Sequence, residues 1–136
     1  MKDEVKTNGG IPRQPGIVPD RDLRKRTKSF ALRIIKVYAS LPSNAVAQVL
    51  GRQLLKSGTS VGAHYREAFR SRSTAEFISK IEGGLQELEE TQYWLDLLVE
   101  ANVLPARRLA DLCQEAEELT AILTSAVLTA KRRKKG

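Results

Sequence analysis

In four successive segments of this chain, apolar residues return every three or four positions, the spacing of one helical face. That pattern decides what the chain can fold into, because each such face has to hide against another. The first segment carries Leu23, Thr27, Phe30, Ile34, Val37 and Leu41. It predicts a helix from about Asp22 to Leu41, capped by Asp20 or Asp22 and stopped by Pro42. Leu32, Ile35 and Ala39 widen the stripe. The second helix is expected after Ser43, its N-cap, and runs to about Arg72, with Val46, Leu50, Leu54, Val61, Tyr65 and Phe69 inside.

Its middle reads Ser57-Gly58-Thr59-Ser60-Val61-Gly62-Ala63. Each glycine costs a helix interior about 1 kcal/mol relative to alanine. The apolar period nevertheless resumes in register beyond them, so one continuous or gently kinked helix is expected, with Gly58 and Gly62 admitting a close neighbour. A third helix, about Ala75 to Ala101, opens at Ser73 or Thr74 with the capping-box pair Ser73 and Glu76. Phe77, Ile78, Ile81, Leu85, Leu88, Leu95 and Leu98 form its stripe, Trp94 adds bulk, and Gly83–Gly84 mark a second tight crossing, expected against Gly58 and Gly62. The fourth starts at Pro105 and carries Leu109, Leu112, Ala116, Leu119, Leu123, Ala126 and Ala130.

Four amphipathic helices joined by short loops must run up and down as neighbours, so an all-α antiparallel four-helix bundle follows. Residues 1–21 hold three prolines and Gly9–Gly10 but little apolar surface. They read as a flexible arm; 22–130 form the bundle and 131–136 a basic tail. The first ten residues have no apolar stretch and so are not expected to be a secretory signal, no apolar run is long enough to span a bilayer, and the single cysteine, Cys113, reads as packing. The expected location is the cytoplasm, with no membrane partner.

The net charge of +7 is unevenly spread. Residues 23–41 carry six basic residues and no acid, and 42–72 carry five against Glu67. Residues 73–104 carry seven acids against Lys80, and five of the last seven basic residues fall in Lys131–Lys135. Such an asymmetry suits either a nucleic-acid footprint or pairing of opposite surfaces within the molecule or between copies.

Catalytic constellations are missing from the sequence. A protein metal site usually needs three or four ligands, and the chain has one histidine (His64) and one cysteine, while the Glu-x-x-His pairs of di-iron bundles do not occur. Ser57-Gly58-Thr59 lacks the Gly-Lys-Ser/Thr end of a phosphate loop. The chain therefore reads as non-enzymatic, without cofactor or metal. Surface recognition remains: Arg24, Lys25, Arg26 and Lys28 on helix 1, Arg52, Lys56, Arg66, Arg70 and Arg72 on helix 2, and Lys131, Arg132, Arg133, Lys134 and Lys135 in the tail are the candidate nucleic-acid-binding residues. The aromatics fall mainly on apolar stripes, so binding would be driven by shape and charge with little base readout.

Several stretches also resemble a known family: Phe30-Ala31-Leu32-Arg33-Ile34-Ile35-Lys36, Gln53 through Ala63, Arg66-Glu67-Ala68, Phe77-Ile78-Ser79-Lys80 and Glu87-x-x-Glu90-Thr91-x-Tyr93-Trp94-Leu95. They are similar to the bacterial four-helix-bundle proteins encoded in intervening sequences of large-subunit ribosomal RNA genes. The resemblance covers roughly residues 22–130, and the family usually has asparagine at the position of His64. It implies a homopentamer with a central channel. It also implies kinship with the accessory variability determinant of diversity-generating retroelements, which binds nucleic acid and a reverse transcriptase. No catalytic residue comes with it. Two readings stay open: a homo-oligomeric bundle binding nucleic acid, RNA before DNA, and a structural or adaptor oligomer whose partner is another protein.

Overall fold

The computed structural model describes residues 18–135. Four helices follow one another, α1 (Asp20–Ala39), α2 (Ala45–Ala68), α3 (Thr74–Glu100) and α4 (Ala106–Lys135), and there is no strand among the described residues. Neighbours run antiparallel. Thr27 and Ile34 of α1 lie against Gly62 and Gly58 of α2, Val61 and Ser57 of α2 against Gly84 and Thr91 of α3, and Gly84 near Leu123 of α4. The result is an up-and-down four-helix bundle in which α1 and α4 make the loosest of the four seams. One core of Leu23, Phe30, Ile34, Leu54, Val61, Tyr65, Ile81, Leu88, Leu95, Leu98, Leu109, Leu119 and Leu123 runs through it.

The helix ends differ from expectation in instructive ways. α1 starts at Asp20 behind Pro19, and no side chain caps it. Asp20 is instead a tertiary anchor, accepting from the Tyr65 hydroxyl at 2.6 Å and from Arg24 Nε at 2.9 Å. The arm expected over 1–21 therefore yields its last two residues to α1, and residues 1–17 lie outside those described. Asn44, not Ser43, caps α2, its side chain accepting from Ala47 N at 2.9 Å. α2 stops at Ala68, four residues short of Arg72, because Phe69 turns inward. Its ring packs on Tyr65 at 5.0 Å and edge-on to Phe77 at 5.6 Å, while Phe69, Arg70 and Ser71 tighten into i→i−3 hydrogen bonds. The capping box of α3 forms with a shift: Ser73 accepts from Glu76 N, and Glu76 reaches back to Arg72 N at 2.7 Å. α3 ends in a Schellman turn, with Asn102 at φ 61° and Val103 N donating to Leu98 O. α4 does not stop at the basic segment but continues to Lys135, so 131–135 form its last turns and not a separate tail.

The glycines do mark close approaches, but not against each other. A Cβ on Gly58 would lie 2.6 Å from Ile34 Cγ1, and one on Gly62 3.2 Å from Thr27 Oγ1, so both serve the α1–α2 seam. Gly83 and Gly84 serve α2–α3, where the His64 ring lies over Gly83. Gly51 is a third such site in α2, facing Leu41 and Tyr38. Because α1 sits so close, the inward face of α2 begins with Ala47 and Gly51. Val46 and Val49, at 57% and 52% exposure, point out. On α4, Val127 takes the buried place expected for Ala126.

Candidate nucleic-acid interface

The bundle sorts its basic residues into paired and outward-facing ones. Arg26 is spent inside the molecule: its Nε and Nη2 clasp Glu115 of α4 at 2.9 and 2.6 Å, and Nη2 also meets Glu118 at 2.9 Å. The Glu115 hydrogen bond pushes the guanidinium further up from its already high value, against partial burial, so it stays charged. The Glu118 carboxyl is held below its ordinary range by the Gln114 amide first and by Arg26 second. Arg24 is likewise held, between Asp20 and the Phe69 ring 5.6 Å away. Lys131 meets Glu82 at 3.4 Å. For these three candidates the fold brings a carboxylate opposite, which the sequence does not show.

The remaining candidates face outward. Lys25 and Lys28 are exposed on α1, as are Arg52, Lys56 and Arg66 on α2, Arg70 and Arg72 in the turn after it, and Arg132, Arg133 and Lys134 on α4. The side chain of Lys135 lies outside those described. Topology gathers most of them. The start of α1, the end of α2 and the end of α4 share one end of the bundle, as the Tyr65–Asp20 and Lys131–Glu82 contacts require. Three basic stretches that are far apart in sequence thus converge there, around Lys25, Arg66, Arg70, Arg72 and Arg132 to Lys134. Sequence reasoning left out Arg21, exposed at the same end, and Lys80, which also lies there but, like Lys131, is paired, with Glu67 at 3.2 Å. Counting helix ends in an up-and-down bundle would have found both.

The acids of α3 are partly tied down as well. Glu87 faces His64 Nε2 at 3.6 Å across the α2–α3 seam, beyond hydrogen-bond reach, and His64 Nδ1 is buried without a partner. Between α3 and α4 an open cleft of about 390 Å³ is lined by Gln92, Asp96, Cys113, Glu117 and Thr120. Burial first, then the charges of Asp96 and Glu117, push the Cys113 thiol up, so it stays protonated near neutral pH. Among the described residues no group of His, Cys, Asp and Glu is placed to hold a metal ion, and no helix is long and apolar enough to cross a membrane.

Comparison with known proteins agrees with this architecture. No curated protein matches the chain. A crystal structure of a protein with unknown function from the S23 ribosomal protein family of Bacteroides thetaiotaomicron VPI-5482 is similar to it. The two share 33% identity at a TM-score of 0.75, over 79% of this chain and 96% of that one. The family model described as 23S rRNA-intervening sequence protein matches residues 20–125, all four helices up to the last turns of α4. The chain belongs to the 23S rRNA-intervening sequence protein family.

Proposed function

We propose that this chain is a non-enzymatic cytoplasmic protein that binds nucleic acid, RNA foremost, and works as a homo-oligomer. The observation that carries the reading is the convergence of three basic stretches on one end of the bundle, with Lys25, Arg66, Arg70, Arg72 and Arg132 exposed there. Cations gathered in this way neutralise phosphates without reading bases. Acidic α3 is the natural counter-surface for a second copy, which leaves the basic end to the ligand.

Salt dependence tests it. Each phosphate neutralised contributes a slope of about −0.9 in log affinity against log salt for a duplex. Four such contacts cost roughly a hundredfold in affinity between 50 and 200 mM salt. Fluorescence anisotropy with labelled RNA should give that fall, and Arg66→Glu with Arg70→Glu should abolish binding while circular dichroism stays helical. Affinity that is flat with salt rejects the reading.

A second reading, an adaptor oligomer with a protein partner, draws on the exposed Leu32, Ile35, Val46, Val49, Tyr93 and Leu128. Single exposed apolar residues are ordinary, but six large ones on a small bundle leave room for an interface. Light-scattering mass before and after nuclease treatment separates the two: loss of mass with nuclease favours nucleic acid, and an unchanged oligomer favours protein.

A further inference from the structure

Of the basic surfaces, the outer face of α2 has a pattern of its own. Arg52, Lys56 and Arg66 are exposed on α2, and Arg70 follows on the tight turn that extends it. At about 100° per residue, all four fall within a sector of roughly 80° on one side of the helix. They come as two pairs. Arg52 and Lys56 are about 6 Å apart along the axis, as are Arg66 and Arg70, whereas Lys56 and Arg66 are about 15 Å apart.

Between the pairs the same face carries only Thr59 and Ala63, with Ser60 at its border. The hydroxyls of Thr59 and Ser60 turn back onto their own helix, donating to Leu55 O and Lys56 O at 2.7 Å each. Nothing between the pairs is long enough to reach into a groove. The flanks differ in charge. Toward α1 lie exposed Lys25 and Lys28. Toward α3, Glu67 is drawn off by Lys80 at 3.2 Å and Glu87 faces His64, with Glu90 exposed further along.

We infer that α2 lies across the wide groove of a double-helical nucleic acid, with Arg52 and Lys56 on one phosphate row and Arg66 and Arg70 on the facing row. This rests on the nucleic-acid reading above and names the class of ligand. The B-form major groove opens to about 12 Å between its phosphate rows, and the A-form minor groove is likewise wide and shallow. A 15 Å gap with no cation suits two rows with a trough between them, whereas one flexible strand gains nothing from the gap. A single-strand site also needs exposed aromatic rings on which bases can stack. Here the rings nearest the face are buried Tyr65, half-buried Phe69 and half-buried Tyr38, which packs over Gly51, and none of them is exposed. Short Thr59 and Ala63 over the trough leave base edges unread, so recognition is by shape and indifferent to sequence. The cationic α1 flank sets the side toward which the duplex leans.

The test moves one charge without changing the total. Lys56→Ala combined with Ala63→Lys keeps net charge and helix face but places a cation over the trough and takes one from a phosphate row. Both positions are exposed, so the fold is retained, checked by thermal melting. Anisotropy is measured for wild type and the double variant with a 20-base-pair RNA duplex, a DNA duplex of the same sequence, and the component single strands. The expected result is duplex bound at least tenfold tighter than single strands, a roughly tenfold loss of duplex affinity in the variant, and single-strand affinity unchanged within twofold. Preference for RNA over DNA duplex assigns the A-form minor groove and the reverse the B-form major groove, each in keeping with the inference. Equal affinity for single strands and duplex, or a variant that weakens both alike, overturns the inference while leaving nucleic-acid binding intact. Absence of salt-sensitive binding to any probe overturns both.

Discussion

Toward α2, helix α1 lies so close that Ile34 leaves no room for even a methyl group on Gly58. Toward α4, the same helix is held by the fork of Arg26 on Glu115 and Glu118, in the loosest seam of the bundle. One side of α1 is closed by shape and the other by charge. Shape complementarity is intolerant of added volume but indifferent to salt, and a partly exposed ion pair is the reverse.

That contrast can be broken from either side. Gly58→Leu should have the largest effect, a loss of about 3 kcal/mol or more by overpacking, read as a fall in denaturation midpoint. A variant that melts with the wild type removes the account of the α1–α2 seam. Arg26→Met should cost only about 1 kcal/mol, as expected for an ion pair with one partner still in contact with water. Wild type should lose that advantage at high salt, and if the gap between the two persists in 1 M salt the α4 side is not held by charge. Tyr65→Phe removes the hydrogen bond to Asp20 that fastens the start of α1 to α2, at a cost of about 1 kcal/mol. Hydrogen exchange should then rise first at Leu23 and Arg24. The smallest effect is that of acid. The Glu118 carboxyl is lowered in the fold, so its contribution is complete above the ordinary glutamate range and is lost as pH falls through the lowered value. Denaturation midpoints in that window should drop more for wild type than for Arg26→Met.

Much of this architecture is legible from periodicity. The stripes of α1, α3 and α4 name most of the core, because leucine, isoleucine and phenylalanine on one face have nowhere else to go. α2 was harder to read. Its valines at 46 and 49 are more apolar than Ala47 and Gly51, yet volume and not hydropathy decides which residue faces a helix packed this closely. The glycines announce tight crossings but not the partner, since which seam a glycine serves depends on its rotation about the helix axis to a degree that spacing does not resolve. The candidate interface was legible as a charge imbalance only. Arg24, Arg26 and Lys131 look identical to Lys25, Lys28 and Arg132 in the sequence. They differ only because Asp20, Glu115 and Glu82 arrive opposite them once the chain is folded.

The unbroken run of α4 to Lys135 changes what its terminal lysines and arginines can do. A limp extension would wrap around an anion with all its charges and would surrender chain entropy on doing so. A rod has already given up that freedom, and its backbone sets Lys131 to Lys134 about 100° apart, so at least one of the four turns away from any flat surface. Whatever docks at that end touches a comb with set teeth, and the teeth facing away remain for a second ligand or a neighbouring copy.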